Sequence, residues 1–319
     1  MGQTPTISAA ICTHATDRLE DLASGLAGIA AQSRPPTEVI VVVDRNPELL
    51  ELVASRWPWV RAVANTDHGG LAGARNTALA TATGDVVAFL DDDAEPAPDW
   101  LEHLAAPYAD PDVQLVGGWV EPRFDDERPA HLPPELDWVI GCSHRGRPTR
   151  RADVRNVTGA SMSLRRGLLD QVGGFEEAVS RKDHVPVGCD DTEFCIRVTQ
   201  RVPHSRIVTE PAAVVHHRVP SQRGSWRYLR QRAYSEGRSK AVVAALVGAQ
   251  DAISDEKAYV RRVLPLAFAR ELRHGRLRGA AGVLVALTWA GWGYARGRRS
   301  PRQAVARSGD VAPRAAPRS

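Results

Sequence analysis

Between residues 7 and 93 the chain alternates short β-branched runs with segments of helical period, and few folds are open to such a pattern. Ile7 to Ile11 is an apolar strand. Arg18 to Gln32 places Leu19, Leu22, Leu26, Ile29 and Ala30 at helical spacing, and Val39 to Val43 is a second strand ending at Asp44. Pro47 to Arg56 reads as helix, Val60 to Val63 as strand, Ala72 to Ala82 as helix and Val86 to Leu90 as a fourth strand. This alternation predicts an α/β fold: a doubly wound, mostly parallel sheet flanked by helices, with right-handed crossovers. The strand ends then gather on one rim, where ligands of such sheets bind. At 319 residues and 43% hydrophobic content, the chain can bury one large core or two smaller ones.

That rim carries an unusual acidic run. The strand ending at Phe89 and Leu90 passes into Asp91, Asp92 and Asp93. Three adjacent carboxylates repel one another, so they call for a cation or strong hydrogen-bond donors. Mg2+ or Mn2+ suits carboxylate oxygens together with substrate phosphates. A solvated acidic loop that caps the next helix is the plain alternative. Asp44 falls on the same rim, which favours a metal pocket.

The pattern changes beyond Asp99. Trp100 to Tyr108 reads as helix and Val113 to Val120 as strand. Phe124 to Pro148 has no clean period and reads as a long excursion over the pocket. A small-residue strand, Asn156 to Leu164, and a helix, Arg166 to Val172, lead to Gly188-Cys189-Asp190-Asp191-Thr192-Glu193, which opens a further helix. N-terminal capping explains one of the two aspartates but does not need both. His216 and His217 follow the apolar run Ala212 to Val215; two readings stand, one histidine packed and the other solvated, or an imidazole joining a manganese site.

The net charge is only +3, but it is unevenly spread. Arg218 to Lys240 holds seven basic residues against one acid, and Arg296 to the end seven arginines against one aspartate. Such asymmetry points to a phosphorylated ligand or an acidic membrane surface, and no nucleic-acid module is visible. Gly279 to Ala295 is 17 residues without charge, but its four glycines and its length are marginal for a membrane span; interfacial docking or a packed helix fits better. The four cysteines have neither zinc nor disulfide spacing, and residues 1–6 lack a leader pattern, so a cytoplasmic protein is expected, free or at the cytoplasmic face of the membrane.

Five features occur in order: the first strand with Cys12 and Thr13; Val41-Val42-Val43-Asp44; Gly69-Gly70-Leu71-Ala72-Gly73-Ala74-Arg75-Asn76; Asp91-Asp92-Asp93; and Gly188 to Glu193. Over residues 5–240 the chain resembles the family-two glycosyltransferases of GT-A fold. The resemblance implies that Asp44 and Thr13 contact the nucleoside of a sugar donor and that Arg75 faces that donor. It matches Asp91 to Asp93 to the DxD motif, with Asp93 and Asp91 as metal ligands and Asp91 or Asp92 near the ribose or the metal's water. Asp191 matches the second acid of an acidic pair, the general base, and His217 a histidine near the diphosphate or metal. Asp190 stands where relatives commonly have Glu, and His14-Ala15-Thr16 where they often have Asn and Arg. The basic, aromatic segment Trp226 to Lys240 is similar to one in relatives that glycosylate lipid phosphates, although a solvated cationic helix would look alike.

The expected function is thus inverting transfer of a sugar from a nucleotide-diphosphate donor, UDP-linked by preference, to a glycan, small-molecule or lipid-phosphate acceptor, assisted by Mn2+ or Mg2+. A nucleotidyl or phosphoryl transferase would show a Gly-rich loop with Lys near the first strand, and none stands between Cys12 and Arg18. A non-catalytic binding protein on the same scaffold would tolerate loss of the acids, which are all present. The expected organisation is a glycosyltransferase unit over 1–240 with its donor half to about residue 99, a helical extension over 241–299 with possible peripheral membrane contact, and a disordered Arg-rich tail over 300–319.

Overall fold

The computed structural model describes residues 4–180 and 188–299; the expected tail lies outside them. The first half follows the predicted alternation: β1 (Ile7–Thr13), α1 (Leu19–Ala30), β2 (Glu38–Val43), α2 (Pro47–Arg56), β3 (Arg61–Ala64), α3 (Leu71–Thr81) and β4 (Val86–Asp91). Local chemistry sets several of these limits. Asn46 caps α2, its side-chain oxygen accepting from the Leu49 N–H at 3.1 Å, and Pro47 takes the first helical position, where no N–H is needed. In β1, Ile7, Ala9 and Ile11 pack into one core layer and Ala10 into the other, beside Ile40 and Val42 of β2. Burial on both faces is why these strands are apolar without alternation.

The order β3-β2-β1-β4 is parallel throughout. The second half joins it through β5 (Ala94–Pro96), α4 (Trp100–Ala105), β6 (Val113–Phe124), β7 (Ala152–Asp153), β8 (Ser161–Arg165), α5 (Leu168–Val172), α6 (Asp190–Arg201) and β9 (Arg206–Val219). β8 runs antiparallel to both β4 and β6, β6 and β9 pair in parallel, and β5 and β7 flank β9 antiparallel. One mixed, curled sheet results, its parallel pairing concentrated on the side that carries Asp44 and Asp91.

The excursion from 124 to 148 is not featureless: it holds a 3-10 helix, Pro134–Ile140, stopped by Gly141 in the left-handed region at φ +84°. Arg128 grips Asp137 of this turn through both oxygens, at 2.6 and 3.1 Å. The chain closes with α7 (Trp226–Val247), α8 (Ala249–Ala252), α9 (Ser254–Ala258), a π-helical turn (Tyr259–Val263), α10 (Leu264–Arg273) and α11 (Leu277–Arg298). α7 runs unbroken across residue 240. Arg270 of α10 pairs with Glu135 of the excursion, and Trp138 Nε1 donates to the Tyr259 hydroxyl at 3.0 Å.

The glycines that make Gly279 to Ala295 a marginal membrane span are explained by close approach. A Cβ on Gly282 would lie 1.9 Å from the His131 carbonyl oxygen, and one on Gly293 2.0 Å from that of Tyr234. Gly237 of α7 is equally tight, 2.0 Å from the Ala290 carbonyl. α11 is therefore a packed helix, and among the described residues no helix is long and apolar enough to cross a membrane.

Candidate active site

The rim of the sheet brings together carboxylates that lie far apart in sequence. Asp91 is the last residue of β4, and Asp92 and Asp93 form the turn into β5. Their environments diverge at once. Asp91 stays half-buried, with the Arg75 guanidinium 3.7 Å away. Asp92 turns under the sheet edge, where it accepts from the Thr13 hydroxyl at 2.8 Å and pairs with Arg18. Burial pushes the Asp92 carboxyl up, against the pull of Arg18, while Asp93 repels it.

Asp93 is surrounded by positive charge. His217 Nε2 lies 3.1 Å from one oxygen, and Arg18 and Arg223 each lie 3.2 Å from the other. Burial alone would raise this carboxyl, but the histidine and the two arginines outweigh it and hold it well below the carboxylate range. Burial likewise opposes charge on His217, yet Asp93 draws its pKa up to about 10. The pocket is thus a place where positive charge is strongly stabilised.

Ligand atoms of Asp91, Asp93 and His217 all lie within 4.8 Å of one another. Two carboxylates and an imidazole that has given up its proton are a donor set that suits Mn2+ or Mg2+, so a cation bound here would take the place of the His217 proton beside Asp93. The residues therefore fit a divalent metal. β9 explains which histidine faces the acids: along a strand, neighbours point to opposite faces, so His217 is buried while His216 stands half exposed near Glu121.

Asp44 ends β2, where it accepts from Asn65 Nδ2 at 2.7 Å and from the Gly70 N–H at 2.9 Å. It thereby anchors the loop that starts α3. In that loop Gly70 has φ +101°, and a Cβ on Gly73 would fall 1.6 Å from the His68 oxygen, so the glycines of the Gly-Gly-Leu-Ala-Gly-Ala-Arg-Asn run serve backbone geometry. The product of that geometry is Arg75. Its side chain is buried, stacked on Phe175 at 5.5 Å, and donates to Asp190 at 2.8 Å; Gly159 leaves the room it occupies.

Asp190 and Asp191 open α6 but divide their work. Asp190 is buried against Arg75. Asp191 is half-buried, accepting from the Gly159 N–H at 3.0 Å and the Thr192 N–H at 2.6 Å, with no ion pair among the described residues. Asp91, Asp190 and Asp191 line one cavity of about 1040 Å3, whose other walls come from the excursion, α7, the π-turn and α11.

Two members of this cluster, Arg18 and Arg223, went unread in the sequence. Arg18 ends the 3-10 turn Thr16–Arg18, five residues beyond the end of β1, and a lone arginine just past a rim strand was the available signal. On the cavity wall itself, Glu256 of α9 binds Lys240 of α7 at 2.9 Å and Arg155 at 2.6 Å. Burial would raise the Glu256 carboxyl, but Lys240 and Arg155 pull it down to about 2.

A mixed sheet with a parallel N-terminal half, a carboxylate run at the end of β4 and a second acidic pair at a facing helix start define a GT-A glycosyltransferase. A model of Glycosyl transferase family 2 matches residues 8–173, and the chain belongs to that family. It is 29% identical over 306 residues to the glucosyl-dolichyl phosphate glucuronosyltransferase of Haloferax volcanii, spanning 92% of this chain and 97% of that relative. Over 158 residues, 49% of this chain and 32% of the relative, it is 32% identical to the pre-mycofactocin glycosyltransferase of Mycobacterium tuberculosis. In structure it is similar to a mannosyltransferase from Pyrobaculum calidifontis solved with GDP-Man and Mn2+, with TM-score 0.56 and 21% identity over 91% of this chain and 88% of that one. These likenesses support the fold, a helical C-terminal region and a transferase activity.

Proposed function

We propose that the protein is an inverting glycosyltransferase that moves a sugar from a nucleotide-diphosphate donor, UDP-linked by preference, to an acceptor hydroxyl. The observation that carries this reading is the convergence of Asp91 and Asp191 on one cavity, one from a strand end and one from a helix start. Asp44 and Thr13 are assigned to the nucleoside and Arg75 to the donor phosphates or sugar. Asp92 holds the turn through Thr13 and Arg18 and lies near the ribose. Asp91, Asp93 and His217 would hold Mn2+ or Mg2+, which when bound supplies Lewis-acid neutralisation of the departing diphosphate.

Asp191 takes the acceptor proton. Its oxygens are held by amide N–H groups of Gly159 and Thr192, which orient the carboxylate. A single displacement by the activated oxygen inverts the anomeric carbon. Asp190 keeps Arg75 in place and does not touch the acceptor in this reading. An ionised phosphate needs no base, so a hydroxyl is favoured over a bare lipid phosphate, and a sugar hydroxyl already carried on a polyprenyl phosphate accords with the Haloferax relative's name. The basic C-terminal third makes peripheral membrane contact.

The test is purified protein with a panel of UDP- and GDP-sugars, Mn2+, and glycosyl-lipid or glycan acceptors, with products read by mass and anomeric configuration by NMR. Transfer with inversion, abolished by EDTA and restored by Mn2+, is expected. Retention of configuration, or full activity in EDTA, would overturn the base or metal assignment.

A further inference from the structure

α11 presents two faces of opposite use. Its glycine and alanine face is locked against α7, α10 and the excursion. The other face carries Leu277, Leu284, Thr288, Gly291 and Ala295, a stripe at three-, four- and seven-residue steps, with Trp292 beside it. Leu277 is 68% exposed, and Leu284 and Trp292 are 51% exposed. From Gly279 to Ala295 the helix bears no charge, and it contains no acid at all. Both ends are basic: Arg276 and Arg278 on one side and Arg296, Arg298 and Arg299 on the other are all exposed.

We infer that this face of α11 is the surface on which the protein lies on an anionic lipid bilayer, with the helix flat in the interface. The inference rests on the peripheral-contact reading above and specifies its surface. Leucines and a tryptophan flanked by arginines are the composition of an interfacial helix facing anionic headgroups. The uncharged stretch rises roughly 25 Å, and its locked opposite face keeps the helix from leaving the protein to insert. A second copy is a poor partner: two-fold pairing of antiparallel stripes would set Arg276 and Arg278 of one copy against Arg296, Arg298 and Arg299 of the other. The placement also has a consequence for the cavity. Val260 and Leu287 are exposed and at the same time line the cavity, so the cavity rim lies beside the apolar face. An acceptor held in the bilayer by a hydrocarbon chain could reach Asp191 from that side.

The experiment is sedimentation of the full chain with vesicles of phosphatidylcholine alone or mixed with phosphatidylglycerol, at low and physiological salt, for wild type, Leu277→Asp and Leu284→Asp. Both positions are exposed, so the unfolding temperature should not move, and it is measured as the folding control. Wild type should pellet with the anionic vesicles and less with the neutral ones, and each substitution should weaken partitioning at least about tenfold. If wild type binds and both variants bind equally well, the contact is made elsewhere: the face assignment falls while peripheral contact stands. If wild type stays in the supernatant under all conditions, both readings fall. A wild-type dimer that the substitutions dissociate, without vesicle binding, would assign the face to a second copy and overturn the inference.

Discussion

The crossing of α7 and α11 gives a prediction whose sign depends on position alone. Replacing a mid-helix glycine by alanine usually stabilises a helix by about 1 kcal/mol, because the backbone has less freedom to lose. At Gly291 nothing lies within 4 Å of the added Cβ, so Gly291→Ala should gain most of that, a rise of about 2 °C. At Gly237 the Cβ would sit 2.0 Å from the Ala290 oxygen and 2.7 Å from the Tyr294 nitrogen, both backbone atoms that cannot swing away. Reaching ordinary contact near 3.4 Å means that α11 retreats by about 1.4 Å. A gap of that size forfeits most of the dispersion along the seam, including the contacts around Gly293, and overpacking costs ~1–3 kcal/mol or more. After the helix-propensity gain is subtracted, Gly237→Ala should lose about 2 kcal/mol, a fall of roughly 4 °C. Thermal unfolding of the two variants beside wild type reads both signs. A Gly237→Ala protein that melts at or above wild type would refute the close crossing.

Asp191→Asn should lower kcat for transfer by about 10²–10⁴ with little change in donor KM or unfolding temperature, measured by product formation at saturating donor. Arg75→Met removes the buried ion pair with Asp190 and should destabilise the protein by about 2 kcal/mol in denaturant titrations, in addition to abolishing transfer. Glu256 titrates lower folded than unfolded, so its contribution is full above pH 4.5 and is lost as pH falls toward about 2. With a third of the side chain exposed, screening trims that contribution to ~2 kcal/mol. Glu256→Gln should flatten this acid limb of stability, and an unchanged limb would place the loss elsewhere.

The parallel half was legible because its information is local. α2 begins and ends at the residues its proline, its Asn46 cap and its apolar spacing indicate, and β1, β2 and β4 need only buried β-branched runs. β9 was read as four residues and has fourteen. Arg206, Glu210 and the histidines break its apolar run, and they are tolerated because Arg206 meets Asp110 and Asp153 while Glu210 meets Arg151. The carboxylates of the site announced themselves, but the cations that hold them did not: Arg18 is 74 residues from Asp92 and Arg223 is 130 from Asp93. No short-range pattern encodes such a pairing. The packed helix expected over Gly279 to Ala295 is found, but the carbonyls its glycines admit lie on other elements and could not be named from the sequence.

The shared cavity has a temporal consequence. Asp91, Asp190 and Asp191 are all present once α6 has been synthesised, yet the wall supplied by Ala286, Leu287, Ala290 and Tyr294 follows Asp191 by about 100 residues. At ~5–20 residues per second, a growing chain spends several seconds with its acids assembled and one side open to water. The parallel strands β1 to β4 can pair during that interval on their own β-α-β contacts, but the cavity stays open. It closes only when α11 seats on α7, and a chain cut before that point would keep the acids and lose the enclosure.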